Sequence, residues 1–459
     1  MRYFSSAFKK LKEVAPGRLI VSSFFVIIVI GTILLMLPFC ARNGRPTPFV
    51  DALFTATSAT CVTGLVVFDT WHHWNGIGQG VILVLIQVGG LGLVTFTTGI
   101  NLLLRKKLGL RDLLLAKENT SGNTMDISRL IKMILGFTFA CEGVGALFLM
   151  TRFVPKFGLH GVWISVFEAI SAYCNAGFDI LGFERADASL TNYVGDPVVC
   201  VTIAILIILG GLGFVVISDV YYAQIHTRLH KQKPMHLNFH STIVLASSGV
   251  LLLLGTLLFF ICEFGNTMAG MDFFTRLNAS FFQSASARTA GFASIDIAAE
   301  HDFTKIITIV LMFIGASPAS TGGGVKTTTF LVLAATVVSV MVGSEETVIH
   351  KRKVDKSTVY RALAIVTGAL LLIIITTGVI LSTNEVPING VDALFEATSA
   401  FATVGLTAGV TPLLDTVPRL AVVLTMFIGR VGPVSLALAI TMRRGKRGAV
   451  LPEGKIIVG

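Results

Sequence analysis

This chain has little charge for its length. Only 14% of its 459 residues are Asp, Glu, Lys or Arg, against 53% that are hydrophobic, and the mean hydropathy is +0.80. A soluble domain of that length could not hide so much apolar surface, so lipid is the expected solvent. Cysteine is also scarce. Of the six, Cys40, Cys141, Cys200 and Cys262 lie in or beside apolar runs and read as small buried hydrophobes rather than a disulfide framework. No histidine or second thiol stands at ligand spacing, which argues against a transition-metal site. The glycine runs sit inside hydrophobic stretches rather than after a strand, so no Walker or Rossmann fingerprint is present and no organic cofactor is expected in this chain. No paired carboxylates, His cluster or activated nucleophile falls within the apolar runs, so the chain is not expected to be an enzyme.

What is there in abundance is long apolar segments. Crossing about 30 Å of hydrocarbon takes roughly 20 apolar residues in a helix. Eight segments qualify, at about 18–39, 78–104, 130–151, 197–222, 242–263, 304–341, 360–382 and 418–441. The first is too long for the h-region of a cleavable leader and lacks a small-residue cleavage site. Of the 36 Lys and Arg, 25 fall in residues 1–18, 105–132, 221–240, 341–361 and 443–459, all on one side of the expected membrane. The positive-inside rule makes that side, and both termini, cytoplasmic. The net charge of +10 therefore encodes orientation and not nucleic-acid recognition.

Four short stretches superpose: Phe54 to Gly64, Phe167 to Gly177, Phe281 to Gly291 and Phe395 to Gly405, with the glycines 113, 114 and 114 residues apart. Each lies between two apolar spans and begins as a helix of about ten residues, such as Asp51 to Ala59 or Asp392 to Ala400, the Asp suiting the N-cap or first turn. At 1.5 Å per residue such a helix reaches about half the hydrocarbon thickness, so it is expected to enter and return. The return segment is extended backbone, which survives at that depth only when buried in protein or lining a wet pathway. The expected fold is an all-α multi-pass membrane protein of four pseudo-symmetric membrane–pore loop–membrane repeats, with eight spans and four re-entrant pore helices around one central ion pore. Carbonyl rings and helix C-termini on that axis favour a cation.

The division along the chain is a cytoplasmic amphipathic segment 1–17 (Phe4, Phe8, Leu11 and Val14 on one stripe), repeat 1 at 18–104, a loop 105–129, repeat 2 at 130–222 and a loop 223–240. Repeat 3 follows at 241–341 with a break at 315–326, then a loop 342–358, repeat 4 at 359–442 and a tail 443–459.

With loop sequences SATCVTGL, SAYCNAGF, SARTAGF and SAFATVGL, nearly the whole chain resembles the Trk/Ktr/HKT superfamily of potassium transporters, and most resembles the bacterial Ktr membrane subunit. The resemblance implies a potassium selectivity filter lined by Cys61, Val62, Thr63 and Gly64; Cys174, Asn175, Ala176 and Gly177; Thr289, Ala290 and Gly291; and Thr403, Val404 and Gly405, acting through backbone oxygens. Gly64, where sodium-favouring plant members tend to have Ser, fits potassium. The resemblance further implies K+ as cargo with Na+ as an activating ion, a homodimer in the bacterial plasma membrane, and a cytosolic ring of nucleotide-binding (RCK) regulatory subunits. The runner-up reading is a secondary transporter coupling Na+ or H+ to substrate uptake by alternating access.

The fourfold pattern breaks in repeat 3, where Gly315, Ala316, Ser317, Pro318, Ser320, Thr321, Gly322, Gly323, Gly324 and Lys326 cannot continue a helix. This stretch is expected to form a gate loop below the filter, with a passive kink as the bland alternative. The glycines of Gly89-Gly90-Leu91-Gly92 and Gly210-Gly211-Leu212-Gly213 read as small residues at a helix contact. Arg288 is expected to point behind its loop. Arg430 at membrane depth is expected to face the pathway or the gate loop, or else to pair with Glu142. Asp69, Asp179, Asp296 and Glu184 follow the filter and are candidates for concentrating cations at the mouth.

Overall fold

The computed structural model describes residues 16–92, 127–226, 236–344 and 346–432. The amphipathic stripe at 1–15, most of the 105–129 loop and the 443–459 tail lie outside the described residues.

Four units follow one another. The first contains α1 (Pro16–Met36), α2 (Phe49–Cys61), a single turn α3 (Thr70–His73) and α4 (Gly76–Leu91). The second contains α5 (Ile127–Phe157), α6 (Leu159–Cys174), α7 (Pro197–Leu212) and α8 (Phe214–Val220). The third contains α9 (Phe239–Cys262), α10 (Phe273–Ser286), α11 (Asp302–Phe313) and α12 (Thr327–Met341), and the fourth α13 (Lys356–Thr383), α14 (Gly390–Ala402) and α15 (Thr416–Val431). The 342–358 loop is not wholly irregular: β1 (Val348–Ile349) and β2 (Arg352–Lys353) pair as a small antiparallel hairpin in an otherwise helical chain.

The short helices α2, α6, α10 and α14 have 13, 16, 14 and 13 residues, so at 1.5 Å per residue they reach about 20–24 Å, short of a crossing. Asp51 and Asp392 occupy the first turns of α2 and α14, while Asn389 caps α14. Each short helix packs on the first helix of its own unit. The second helix of each unit packs on the short helix of the next: α4 on α6, α7 on α10, α11 on α14, and α15 back on α2. The chain thus closes into a ring in which every unit has the same two neighbours.

A polar tie crosses each seam at a matching level. Gln79, Cys200, Lys305 and Arg419 occupy matching positions on the second helices. Trp163 donates to Gln79 at 2.9 Å, the Asn278 amide beside Cys200 donates to Val194 O at 3.0 Å, Lys305 pairs with Asp392 at 2.8 Å and Arg419 with Asp51 at 2.6 Å. The last pair joins residues 368 positions apart and locks the fourth unit to the first.

Eight spans are expected, the second of the third unit broken at 315–326, and the expected spans 78–104 and 418–441 extend past the described residues. Among the described residues, three helices are long and apolar enough to cross a membrane, within α5, α9 and α13. The second helices all stop early. α4 ends at Gly92, α15 at Gly432, and α7 turns into α8 through 97° at Gly213, these glycines having φ of +75°, +87° and +91°. That left-handed conformation is open to glycine and strained for residues with a Cβ, so these are helix ends and not merely sites of close packing. Gly89, Gly210 and Gly429, three residues earlier, do make the close packing. A Cβ on each would come closer than 3.0 Å to the carbonyl oxygen of Thr60, Tyr173 or Phe401, all at the C-terminal ends of short helices.

Replacing Gly429 by Ala should therefore overpack a rigid contact and destabilise the fold by about 1–3 kcal/mol, read as a lower thermal transition in detergent. Gly80, also helical but with no atom near a built Cβ, should tolerate Ala or gain up to about 1 kcal/mol from helix propensity.

Candidate functional site: a ring of four glycines

The segments that follow the short helices share one backbone course. Val62, Asn175, Thr289 and Thr403 are left-handed, with φ of 59°, 60°, 73° and 49°; two residues later Gly64, Gly177, Gly291 and Gly405 have φ of 92°, 70°, 83° and 94°. A non-glycine residue with positive φ is uncommon, and four in register mean that the fold imposes the conformation. Backbone bonds hold it: Thr63 N to Ser58 O at 2.8 Å, Ala176 N to Ser171 O at 2.8 Å, Ala290 N to Ser286 O at 3.0 Å and Val404 N to Ser399 O at 2.9 Å.

The third segment is one residue shorter between its serine and its glycine. The fully buried counterpart of Phe54, Phe167 and Phe395 is consequently Phe282, and not the partly buried Phe281 that the sequence match selects. With that register, Thr55, Glu168, Gln283 and Glu396 occupy one position, and all four are buried. Glu168 accepts from Ile180 N at 3.0 Å, and Glu396 accepts from Thr407 at 2.9 Å and from Thr411. These carboxyls brace the strand leaving the glycine. Sequence reading missed them; the signal was a polar residue directly after each buried Phe.

The four glycines converge. A Cβ on Gly64 would strike the Ala176 carbonyl, one on Gly177 the Ala290 carbonyl at 2.6 Å, one on Gly291 the Val404 carbonyl at 2.5 Å, and one on Gly405 the Thr63 carbonyl. The contacts run from unit to unit and close on the first. Thr63 and Thr403 at this level, and Thr60 just before, bury hydroxyls that have no partner among the described residues.

On the side reached by α3 and the segments after each glycine, a cavity of about 490 Å³ opens onto the ring, lined by the glycines, Asp69, Asp179, Asp187, Asp296 and Arg185. Asp69 accepts from His72 N at 2.9 Å and Asp187 N at 3.1 Å. Burial, with Asp69 and Asp187 beside it, pushes the Asp179 carboxyl up to about 7. Glu184 does not line the cavity; it pairs with Lys156 at 2.5 Å to one side.

On the opposite side the ring is underlain by the break between α11 and α12. Gly315 N bonds Val325 O at 2.9 Å, which closes the base of the loop. Ser317 N and Thr321 N bond the carbonyls of Gly211 and Gly210 at 3.1 and 3.2 Å. Cβ atoms on Gly322 and Gly323 would strike the hydroxyls of Thr289 and Thr403, so the loop lies directly under the third and fourth segments. Lys326 folds back onto Gly322 O at 2.7 Å. Arg430 donates to Thr321 O on the loop and to Gly89 O at 2.6 Å at the end of α4. It does not pair with Glu142, which accepts from Gln87 at 3.3 Å; helix-end carbonyls are a natural partner for a cation. Arg288 is turned onto α9, where it donates to Ser248 Oγ at 3.1 Å.

The family described as a cation transport protein, TrkH, matches residues 9–447. The Ktr system potassium uptake protein B of Bacillus subtilis (strain 168) is 37% identical over 448 residues, 97% of each chain. That of Vibrio alginolyticus is 40% identical over 427 residues, 92% of this chain and 90% of the relative. The potassium/sodium uptake protein NtpJ of Enterococcus hirae is 38% identical over 457 residues, 98% of each. The crystal structure of the potassium transporter TrkH from Vibrio parahaemolyticus shares the fold, with a TM-score of 0.70 over 92% of this chain and 84% of that one at 16% identity. Sequence along nearly the whole chain and fold point the same way: the protein belongs to the TrkH family of cation transport proteins.

Proposed function

We propose that this membrane protein is the pore-forming subunit of a Ktr-type potassium uptake system, conducting K+ through the ring of backbone carbonyls around Gly64, Gly177, Gly291 and Gly405. The observation that carries this reading is the closed contact of each glycine with the carbonyl of the next unit. Four such carbonyls on one axis can replace the hydration shell of a weakly hydrated cation. The names of the full-length relatives, potassium uptake proteins among them, support K+ as cargo, and the potassium/sodium name of one supports a part for Na+. Cyclic packing of like-oriented units favours a fixed pore over the alternating access of a secondary transporter. Both termini are assigned to the cytoplasm, where a homodimer would rest on a nucleotide-binding regulatory ring; the relatives' designation as parts of a Ktr system supports a multi-subunit assembly.

Expression in a potassium-uptake-deficient bacterium should restore growth at low millimolar potassium. Gly64→Ser places a Cβ against the Ala176 carbonyl at a φ of 92°, and should lower the K+/Na+ permeability ratio about tenfold, equivalent to about 1.4 kcal/mol. An unchanged ratio in liposomes would count against the ring as filter.

The loop at Gly315–Lys326, held by Arg430, is assigned as the gate. Deleting Ala316–Gly324, or replacing Arg430 by Ala, should raise liposomal K+ flux severalfold. Flux equal to the parent's in properly inserted protein would remove the gating role.

Asp179 supplies a pH dependence. With its carboxyl titrating at about 7, the mouth is less negative at pH 6 and more negative at pH 8, so cation capture should strengthen as external pH rises. The KM for rubidium uptake should fall severalfold between those values, and Asp179→Asn should hold it near its pH 6 value throughout. A variant that keeps the parent's pH profile would clear Asp179 of this role.

A further inference from the structure

A groove of about 600 Å³ runs along the outside of the second unit between α5 and α7, away from the glycine ring. Its walls are almost wholly apolar, with Phe137, Cys141, Val144 and Phe148 on α5 facing Val201 and Ile205 on α7. Val144, Phe148, Val201 and Ile205 are 53%, 56%, 38% and 48% exposed, so the groove opens outward. The spacing of the α5 residues, at three and four positions, follows one helix face, and the next position on that face is Arg152. Arg152 Nε lies 3.3 Å from Asp196 Oδ2, and Asp196 directly precedes Pro197 at the groove's outer end. An ion pair therefore closes an apolar channel.

Depth along α5 places that pair. Glu142 meets Gln87 on α4 and Cys174 at the end of α6, at the level where the short helices stop. Arg152 lies ten residues on, about 15 Å at 1.5 Å per residue, and five residues before α5 ends at Phe157 and the chain turns into α6. The groove thus lies at acyl-chain depth and the ion pair at the depth of phospholipid head groups. The pair is half open, its side chains 47% and 28% exposed. A guanidinium has five N–H donors in a planar fork suited to phosphate, so Arg152 keeps donors free beside Asp196. Asp196 Oδ1 caps α7 at Val198 N, 2.9 Å away, which leaves Oδ2 toward Arg152 and the outside.

We propose that this groove is a specific phospholipid site, with one acyl chain lying between α5 and α7, the phosphate on Arg152 and a head-group ammonium on Asp196. The complementarity selects a zwitterionic phosphoethanolamine head group, because an anionic glycerol head group would set its hydroxyls against Asp196 with no cation to offer. The chain end reaches Cys141, next to Glu142 and so one contact from Cys174 at the end of the second short helix. Occupancy of the groove therefore supports the packing behind the second glycine segment.

The test uses the full-length protein reconstituted into bilayers of equal phosphatidylethanolamine and phosphatidylglycerol, extracted in mild detergent, with retained lipids counted by native mass spectrometry. One phosphatidylethanolamine per chain is expected, enriched at least fivefold over phosphatidylglycerol. Val201→Trp, or Ile205→Trp if the first fails to fold, should fill the groove and remove that lipid. Arg152→Gln should keep a lipid but bring the two classes to near their bulk ratio. Retained lipid of bulk composition in the parent, or an unchanged count in the folded Trp variants, would overturn the assignment. So would efficient photo-crosslinking from position 201 to a second copy of the chain, which would make the groove a protein interface.

Discussion

A peptide group left unpaired in hydrocarbon costs several kcal/mol, and this constraint governs the rest of the molecule. The segments after α2, α6, α10 and α14 run as non-helical backbone, so each must be enclosed by protein. Cyclic packing provides the enclosure: every short helix is held by its own unit on one side and by the second helix of the preceding unit on another. No single unit could bury its own loop. The Asp51–Arg419 pair and the Gly405–Thr63 contact, both joining the ends of the chain, complete the arrangement.

The same constraint explains the broken second helices. A helix that ends at a left-handed glycine leaves its last carbonyls without helical partners. Those of Gly210 and Gly211 accept from Thr321 and Ser317, and those of Gly89 and Gly90 accept from Arg430. The carbonyls that one break exposes are satisfied by another unit's loop or side chain. Arg430 occupies the position that is Gly90, Gly211 or Ala316 in the other units. The asymmetry of the lower face thus comes from one long loop and one arginine set among small residues.

Above the ring, polarity is arranged differently. Glu168 and Glu396 brace the strands leaving the second and fourth glycines, which lie opposite one another in the cyclic order, while Thr55 and Gln283 fill the same position in the other two. The outer support therefore has twofold rather than fourfold character. The mouth is acidic chiefly beside the second unit, where Asp69, Asp179 and Asp187 gather.

Much of this was legible in the chain itself. Glycines at a near-constant interval, each ten residues or so after a Phe and flanked by apolar runs, specify a repeated unit, because glycine takes a positive φ without strain and apolar helices suit lipid. Arg288 and the break at Gly315 could be placed by the cost of charge and of disrupted helix at depth. Hydropathy could not reveal that α4 and α15 end at Gly92 and Gly432, since the residues that follow are also largely apolar; backbone dihedral angles mark the ends. The Phe-to-Gly interval concealed the one-residue contraction that makes Phe282 the buried partner, although the Ser-to-Gly interval carries it, and spacing could not choose Gly89 and Thr321 over Glu142 for Arg430. Composition and periodicity determined the solvent, the unit and its number of copies, because those depend on residues close together in sequence. Which unit touches which, and where each buried cation finds its oxygen, was decided by ring closure, which brings together groups hundreds of residues apart.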